Sequence, residues 1–211
     1  MNKPVIIIGA GGAGNIAYEI FRSNGVVVYG FLDDDKKPQT TIGDIPILGR
    51  TDVEDYLALI GDKCNVFVAS DELELKEHMI QQLVEKQKVM PVNAIHARAQ
   101  LADTVGIGHG NLIDGHVWLG AECELGHHTF IRAGSVIDHG VSIGDYTHIG
   151  AGCHIGEGAR IEERTFVGTG ATIVPGITVG QGARVGAGAV VVESVKAGIT
   201  VFGNPAKEVK V

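Results

Sequence analysis

The sequence predicts two folds in tandem, a small parallel α/β sheet followed by a parallel β-solenoid, and three observations predict it. From residue 95 onward every sixth position is aliphatic. Before that point β and α patterns alternate around a GxGxxG turn. Glycine supplies 31 of 211 residues, about twice its ordinary share of roughly 7%.

The aliphatic series begins Ile95, Leu101, Ile107, Ile113 and runs to Val185 and Val191, seventeen positions without a phase slip. A period of six fits neither the ~3.6 residues of a helical turn nor the alternation of a simple strand, but it fits a solenoid of short strands. Three hexads make one triangular coil, and each aliphatic stacks on its equivalent one coil away. Glycine often follows the aliphatic, as at Gly108, Gly120 and Gly144. There a Cβ would clash or φ turns positive. Two residues before the aliphatic stands a small or β-branched residue such as Cys123, Ser135 or Cys153.

In the first ~90 residues, enough for a small domain with its own core, Val5–Ile8 reads as a buried strand and residues 14–23 as a helix. Strands are expected over Val26–Phe31, Asn65–Ala69 and Val89–Val92, and helices over Asp52–Ile60 and Asp71–Lys86. This order implies a parallel sheet of Rossmann type with four strands. The domains are expected to span 1–93 and 94–211.

Gly9-Ala10-Gly11-Gly12-Ala13-Gly14 lies between strand and helix, where backbone N–H groups and the helix N-terminus can cradle phosphate. Asp33 follows Gly14 by 19 residues, where dinucleotide folds place a carboxylate on the ribose. Yet this stretch supplies only one mononucleotide half, so a nucleotide or nucleotide-sugar diphosphate fits better than NAD.

Net charge of −8 excludes a general affinity for nucleic acid or anionic membranes. No apolar run reaches the ~18 residues of a membrane span. The opening MNKPVIIIGAGG is too short and lacks the cleavage site of a signal peptide. The expectation is a soluble, cytoplasmic protein. Cys64, Cys123 and Cys153 form neither a disulfide framework nor a metal knuckle.

Seven of nine histidines fall between His109 and His154. None occupies an inward aliphatic slot, so all are expected on the outside or at a subunit interface. Their spacings do not provide the H-x4-H pair of a solenoid zinc site, and no metal is expected. A neutral imidazole can instead act as general base, given an orienting carboxylate. Asp138 adjoins His139, but strand neighbours point to opposite faces, so Asp138, Asp145, Asp114 and a group from another subunit all stand as partners. No Ser, Cys or Thr nucleophile constellation is present, which favours direct transfer.

The motifs IIIGAGGAGNIAYEI, FLDDD at 31–35, IPILG at 45–49, SVIDHGVSIGDYTHIGAGCHIG at 135–156 and VFGNPAK at 201–207 together resemble the bacterial nucleotide-sugar acetyltransferases of the PglD/NeuD type, in the hexapeptide-repeat acyltransferase superfamily. The resemblance implies a Rossmann-like domain, a left-handed parallel β-helix and a homotrimer with sites between neighbouring solenoids. It implies acetyl-CoA as co-substrate and transfer of acetyl to the amino group of a nucleotide-activated sugar, a UDP-4-amino-4,6-dideoxy sugar foremost. By position it makes His139 the general base, with Asp138 the adjacent acid that could support it. His148 then contacts acetyl-CoA, and backbone groups of Thr169 and Ala187 hold it. Gly11, Gly12 and Ala13 match the nucleotide-diphosphate loop, Asp33 and Asp34 the nucleoside-binding acids, and Ser70 the strand end closing that pocket. Two positions depart from the family: Gly140 stands where an acid usually follows the base, and Ala13 where a histidine is common. An O-acetyltransferase of a sialic-acid-type hydroxyl is the near alternative, and a non-catalytic scaffold with a nucleotide sensor the distant one.

Overall fold

The computed structural model describes residues 3–209, and the chain divides into two compact units, Met1–Ala97 and Arg98–Val211.

In the first unit β1 (Val5–Ile8) is apolar and buried at every position, as a strand covered on both faces must be. It lies between β2 (Val28–Leu32) and β5 (Asn65–Val68), both parallel to it. Helix α1 (Gly12–Ser23) buries Ala13, Ala17, Tyr18, Ile20 and Phe21, an apolar stripe at helical spacing. The sheet has five strands rather than four. β4 (Ile45–Gly49) runs parallel to β2, and β3 (Thr41–Ile42) pairs antiparallel to β4.

Three local expectations are corrected. The helix expected over 52–60 keeps one turn, α2 (Glu54–Leu57), none of whose four residues is buried to anchor a longer helix. Helix α3 (Leu73–Gln82) ends early and passes into a wider π turn, Leu83–Gln87, closed by Lys88 at φ +57°. Val89–Val92 is not a strand. Among the described residues its one backbone bond to the sheet is Val92 N–H to Val66 O, 2.9 Å, and Pro91 has no N–H with which to continue a ladder.

β6 (Ala94–Ile95) packs with the first unit: Asn24 Nδ2, just past α1, donates to Ile95 O at 2.6 Å. The division into compact units falls between Ala97 and Arg98.

The second unit is a left-handed parallel β-helix of two-residue strands. Between Gln100 and Val191 each strand ends on an aliphatic of the series, and strands eighteen residues apart pair parallel, as Val136–Ile137 does with His154–Ile155; the last coil departs, with Thr200–Phe202 beside Arg184–Val185 and antiparallel to Lys207–Glu208. Three faces result. Face one carries Trp118–Leu119, Val136–Ile137 and His154–Ile155, face two Glu124–Leu125 and Ser142–Ile143, and face three Phe130–Ile131, His148–Ile149 and Phe166–Val167. The inward aliphatics Ile131, Ile137 and Ile149 are fully buried. Each contributes roughly 1.5–3 kcal/mol by leaving water.

Where the residue two before the aliphatic carries a hydroxyl or thiol, it bolts adjacent coils together. Thr129 Oγ1 donates to Gly144 O (2.9 Å), Ser135 Oγ to Gly150 O (2.8 Å) and Cys123 Sγ to Asp138 O (2.9 Å). Corner carbonyls that a narrow prism hides from water are thereby satisfied. Among the described residues no helix is long and apolar enough to cross a membrane.

Candidate active site

A cavity of about 270 Å³ opens at the carboxyl ends of β1, β2 and β5, where open α/β sheets place ligands. Gly11, Gly12, Ala13, Asp33, Asp34 and Ser70 all line it, so the six residues singled out for this purpose are brought together. The loop's glycines divide by role. Gly9 takes φ +101°, and a Cβ there would lie 2.6 Å from Ala69 O. Gly11 and Gly12 have open space where a Cβ would stand. They begin α1, whose first-turn N–H groups have no intrahelical acceptor. No acidic residue lies in that first turn, so the positive helix end remains available to a phosphate.

Asp33 does more than face the cavity. Its Oδ2 accepts the Ala10 N–H (2.7 Å), and its Oδ1 accepts the N–H groups of Asp35 and Lys36 (both 3.0 Å). Asp34 Oδ1 accepts from Thr51 N (2.9 Å), and Ser70 Oγ accepts from Glu72 N (3.1 Å) at the entry to α3. The polar lining is thus built by its own hydrogen bonds before any ligand arrives.

On the solenoid the site residues fall on different edges. His139 and Asp138 lie on the edge between faces one and two, following Ile137. Thr169 and Ala187 lie on the edge between faces three and one, one coil apart. Gly188 N–H donates to Thr169 O at 2.9 Å. Both residues are exposed, and neither N–H donates to another described residue. They form a pair of free donors on adjacent coils. His148, half-buried on face three, stacks on Phe166 (5.2 Å between rings, 24° apart) and stands 6.5 Å from Phe130.

The carboxylates offered as partners of His139 are engaged elsewhere. Asp138 Oδ1 accepts the backbone N–H of His139 (2.8 Å) rather than its ring. Asp145, on the edge between faces two and three, accepts from His127 N (2.7 Å), and Asp114, on the third edge, from Gly115 N (2.6 Å). Among the described residues the carboxylate near the imidazole is that of Glu122, with Oε2 3.9 Å from Nε2. Sequence reasoning missed Glu122. Its signal was positional: it lies one coil before Gly140 on the edge that carries His139.

One histidine departs from the outward placement expected of all. His128 is buried to 4% exposure. Its ring fills the space a side chain at Gly110 would need and lies 5.0 Å from the Tyr146 ring. Burial raises the pKa of the Cys123 and Cys153 thiols, so neither is a ready nucleophile. Among the described residues no group of three His, Cys, Asp or Glu side chains is placed to hold a metal ion.

Comparison with known proteins bears on both units. Residues 4–83 match the PglD N-terminal domain family, 122–157 the bacterial transferase hexapeptide (six repeats), and 158–193 the hexapeptide repeat of succinyl-transferase. No curated protein sequence matches the chain. Among solved structures, PerB from Caulobacter crescentus, in complex with CoA and GDP-perosamine, is 29% identical with a TM-score of 0.90, over 100% of this chain and 99% of its own. A histidine-to-alanine mutant of GDP-perosamine N-acetyltransferase from the same organism gives 29% and 0.91 over the same shares. The acetyltransferase domain of PglB from Neisseria gonorrhoeae FA1090, in complex with acetyl coenzyme A, is 27% identical with a TM-score of 0.88, over 99% of this chain and 100% of its own.

Proposed function

From the premise that this chain is a PglD-type hexapeptide-repeat acyltransferase, we propose that it acetylates the amino group of a nucleotide-activated 4-amino-deoxy sugar, with acetyl-CoA as donor. The observation that carries this reading is the pairing of two sites in one chain. One is a phosphate-competent cavity over α1; the other is a solenoid presenting an exposed histidine and free backbone donors. Residues 1–93 serve as the nucleotide-sugar domain and 94–211 as the transferase domain.

Acetyl-CoA supplies an activated thioester. Thr169 and Ala187 hold it through their free N–H groups, and His148 lies against it. His139 accepts the proton of the sugar amine as the C–N bond forms and the C–S bond breaks, then returns that proton to the departing thiolate. Gly11, Gly12 and Ala13 bind the diphosphate. Asp33 and Asp34 shape the nucleoside end of the cavity, and Ser70 closes it. A sugar amine attacks as the neutral form, so positioning supplies much of the rate.

The separation of His139 from Thr169 and Ala187 by a face of the prism, on two different edges, supports a homotrimer. A neighbouring copy then brings its cofactor edge to this chain's histidine. The reaction consumes a cytoplasmic donor, which supports a cytoplasmic location.

The carrier is first proposed as UDP. GDP is a second reading, favoured by the acidic rim of Asp35, Asp71 and Glu72, since guanine offers two adjacent N–H donors where uracil offers one. The test is thiol release from acetyl-CoA against UDP- and GDP-linked 4-amino sugars and sialic acid. Turnover on an amino sugar supports N-acetylation and selects the carrier. Turnover on sialic acid alone moves the chain to O-acetylation, and absence of both turnover and CoA binding leaves a scaffold.

A further inference from the structure

Glu122 occupies a corner where the equivalent residues one and two coils on are Gly140 and Gly158, both at positive φ. It adopts the same left-handed backbone, φ +58°, a conformation that a glutamate takes only at a cost. The Thr104 hydroxyl oxygen, one coil back, accepts its N–H at 2.9 Å and holds it there. This corner thus carries a side chain where the next two coils have none, and its carboxylate lies beside His139, with Oε2 3.9 Å from Nε2. Both side chains are largely exposed, 72% for Glu122 and 49% for His139. Such a pair adds little to stability, so fold stability does not account for it.

The charged groups around the imidazole come from three coils. Glu122 stands on the preceding one. Asp138, on the same coil, has an oxygen committed to the His139 N–H. Glu157 stands on the following one, beside Gly158, whose N–H donates to His139 O (2.9 Å). Of these carboxylates Glu122 is the one within ion-pair distance of the ring.

We propose that Glu122 is the positioning residue of His139. It holds Nε2, leaves the Nδ1 lone pair to accept the substrate proton, and stabilises the imidazolium formed during transfer. This rests on the function proposed above, in which His139 is the base. It also replaces, from the preceding coil, the acid that the sequence lacks at Gly140. A small χ rotation of an exposed glutamate closes 3.9 Å to a hydrogen bond.

The test uses Glu122→Gly, which removes the carboxylate while suiting the left-handed backbone, and Glu122→Gln, which removes only the charge. In turnover, kcat should fall by about two- to fivefold in both variants, with KM for acetyl-CoA unchanged and melting temperature not lowered. In a His139→Ala background Glu122→Gly should cause no further loss, because its effect runs through the ring. A kcat equal to wild type in Glu122→Gly, or a further loss of the same size in the His139→Ala background, overturns the proposal. His139→Ala alone separates the two claims: full activity in that variant would remove His139 as base and this proposal with it, while acetyl transfer itself would stand.

Discussion

Asp33 Oδ2 accepts the N–H of Ala10 at 2.7 Å, which ties the end of β2 to the glycine turn after β1 across the mouth of the cavity. Because Oδ1 also accepts from Asp35 and Lys36, one carboxylate holds both walls. Asp33→Ala leaves three backbone donors without their acceptor and should cost about 1–3 kcal/mol. It should also raise KM for the nucleotide sugar more than KM for acetyl-CoA. Thermal melts and two-substrate kinetics measure the pair, and an unchanged KM for the sugar would count against the cavity as its site.

The glycine loop separates folding from binding. Gly9→Ala places a Cβ 2.6 Å from Ala69 O at φ +101° and should destabilise by about 1–3 kcal/mol. Gly11→Ala meets nothing within 4 Å. It should melt like wild type while weakening nucleotide-sugar binding, measured by calorimetry. Equal behaviour of the two variants would contradict this division.

Desolvation raises the pKa of the Cys64, Cys123 and Cys153 thiols. In the unfolded chain they ionise near pH ~8.5, so above that pH the unfolded state sheds protons that the folded state keeps. This contribution to stability is thus complete below about pH 8 and declines as pH rises toward the folded values. Denaturant midpoints measured between about pH 7 and 10 should fall, and native thiols should resist a thiol reagent until the chain unfolds. Rapid labelling of the native protein would contradict their burial.

Ser135 is fully buried; its Oγ donates to Gly150 O at 2.8 Å and accepts from Cys153 N at 3.2 Å. Ser135→Ala strands both groups inside the prism and should cost about 1–3 kcal/mol. A melting temperature equal to wild type would show that water reaches this corner.

The solenoid was legible because a period of six assigns every inward residue at once. Phase alone placed Ile131, Ile137 and Ile149 in the core. Relations between coils were less visible. Glu122 precedes His139 by seventeen residues, and only the coil geometry makes them neighbours. His128 looked solvated because its burial depends on the absence of a side chain at Gly110, one coil away. In the first unit IPILG was read as a motif and not as β4, since Pro46 argues against a strand unless its neighbour needs no donor there. Val89–Val92 had the apolar composition of a strand, but Pro91 denies it the ladder. The cavity residues were legible as a group because the strand–turn–helix order fixes where a glycine loop must lie.

The most direct test of the central claim is single-turnover acetyl transfer by wild type and His139→Ala on the amino-sugar nucleotide that wild type accepts, with acetyl-CoA affinity measured for each by calorimetry. The account predicts a loss of about 10²–10⁴-fold in the chemical step at unchanged acetyl-CoA affinity. A His139→Ala protein that transfers acetyl at the wild-type rate would contradict it.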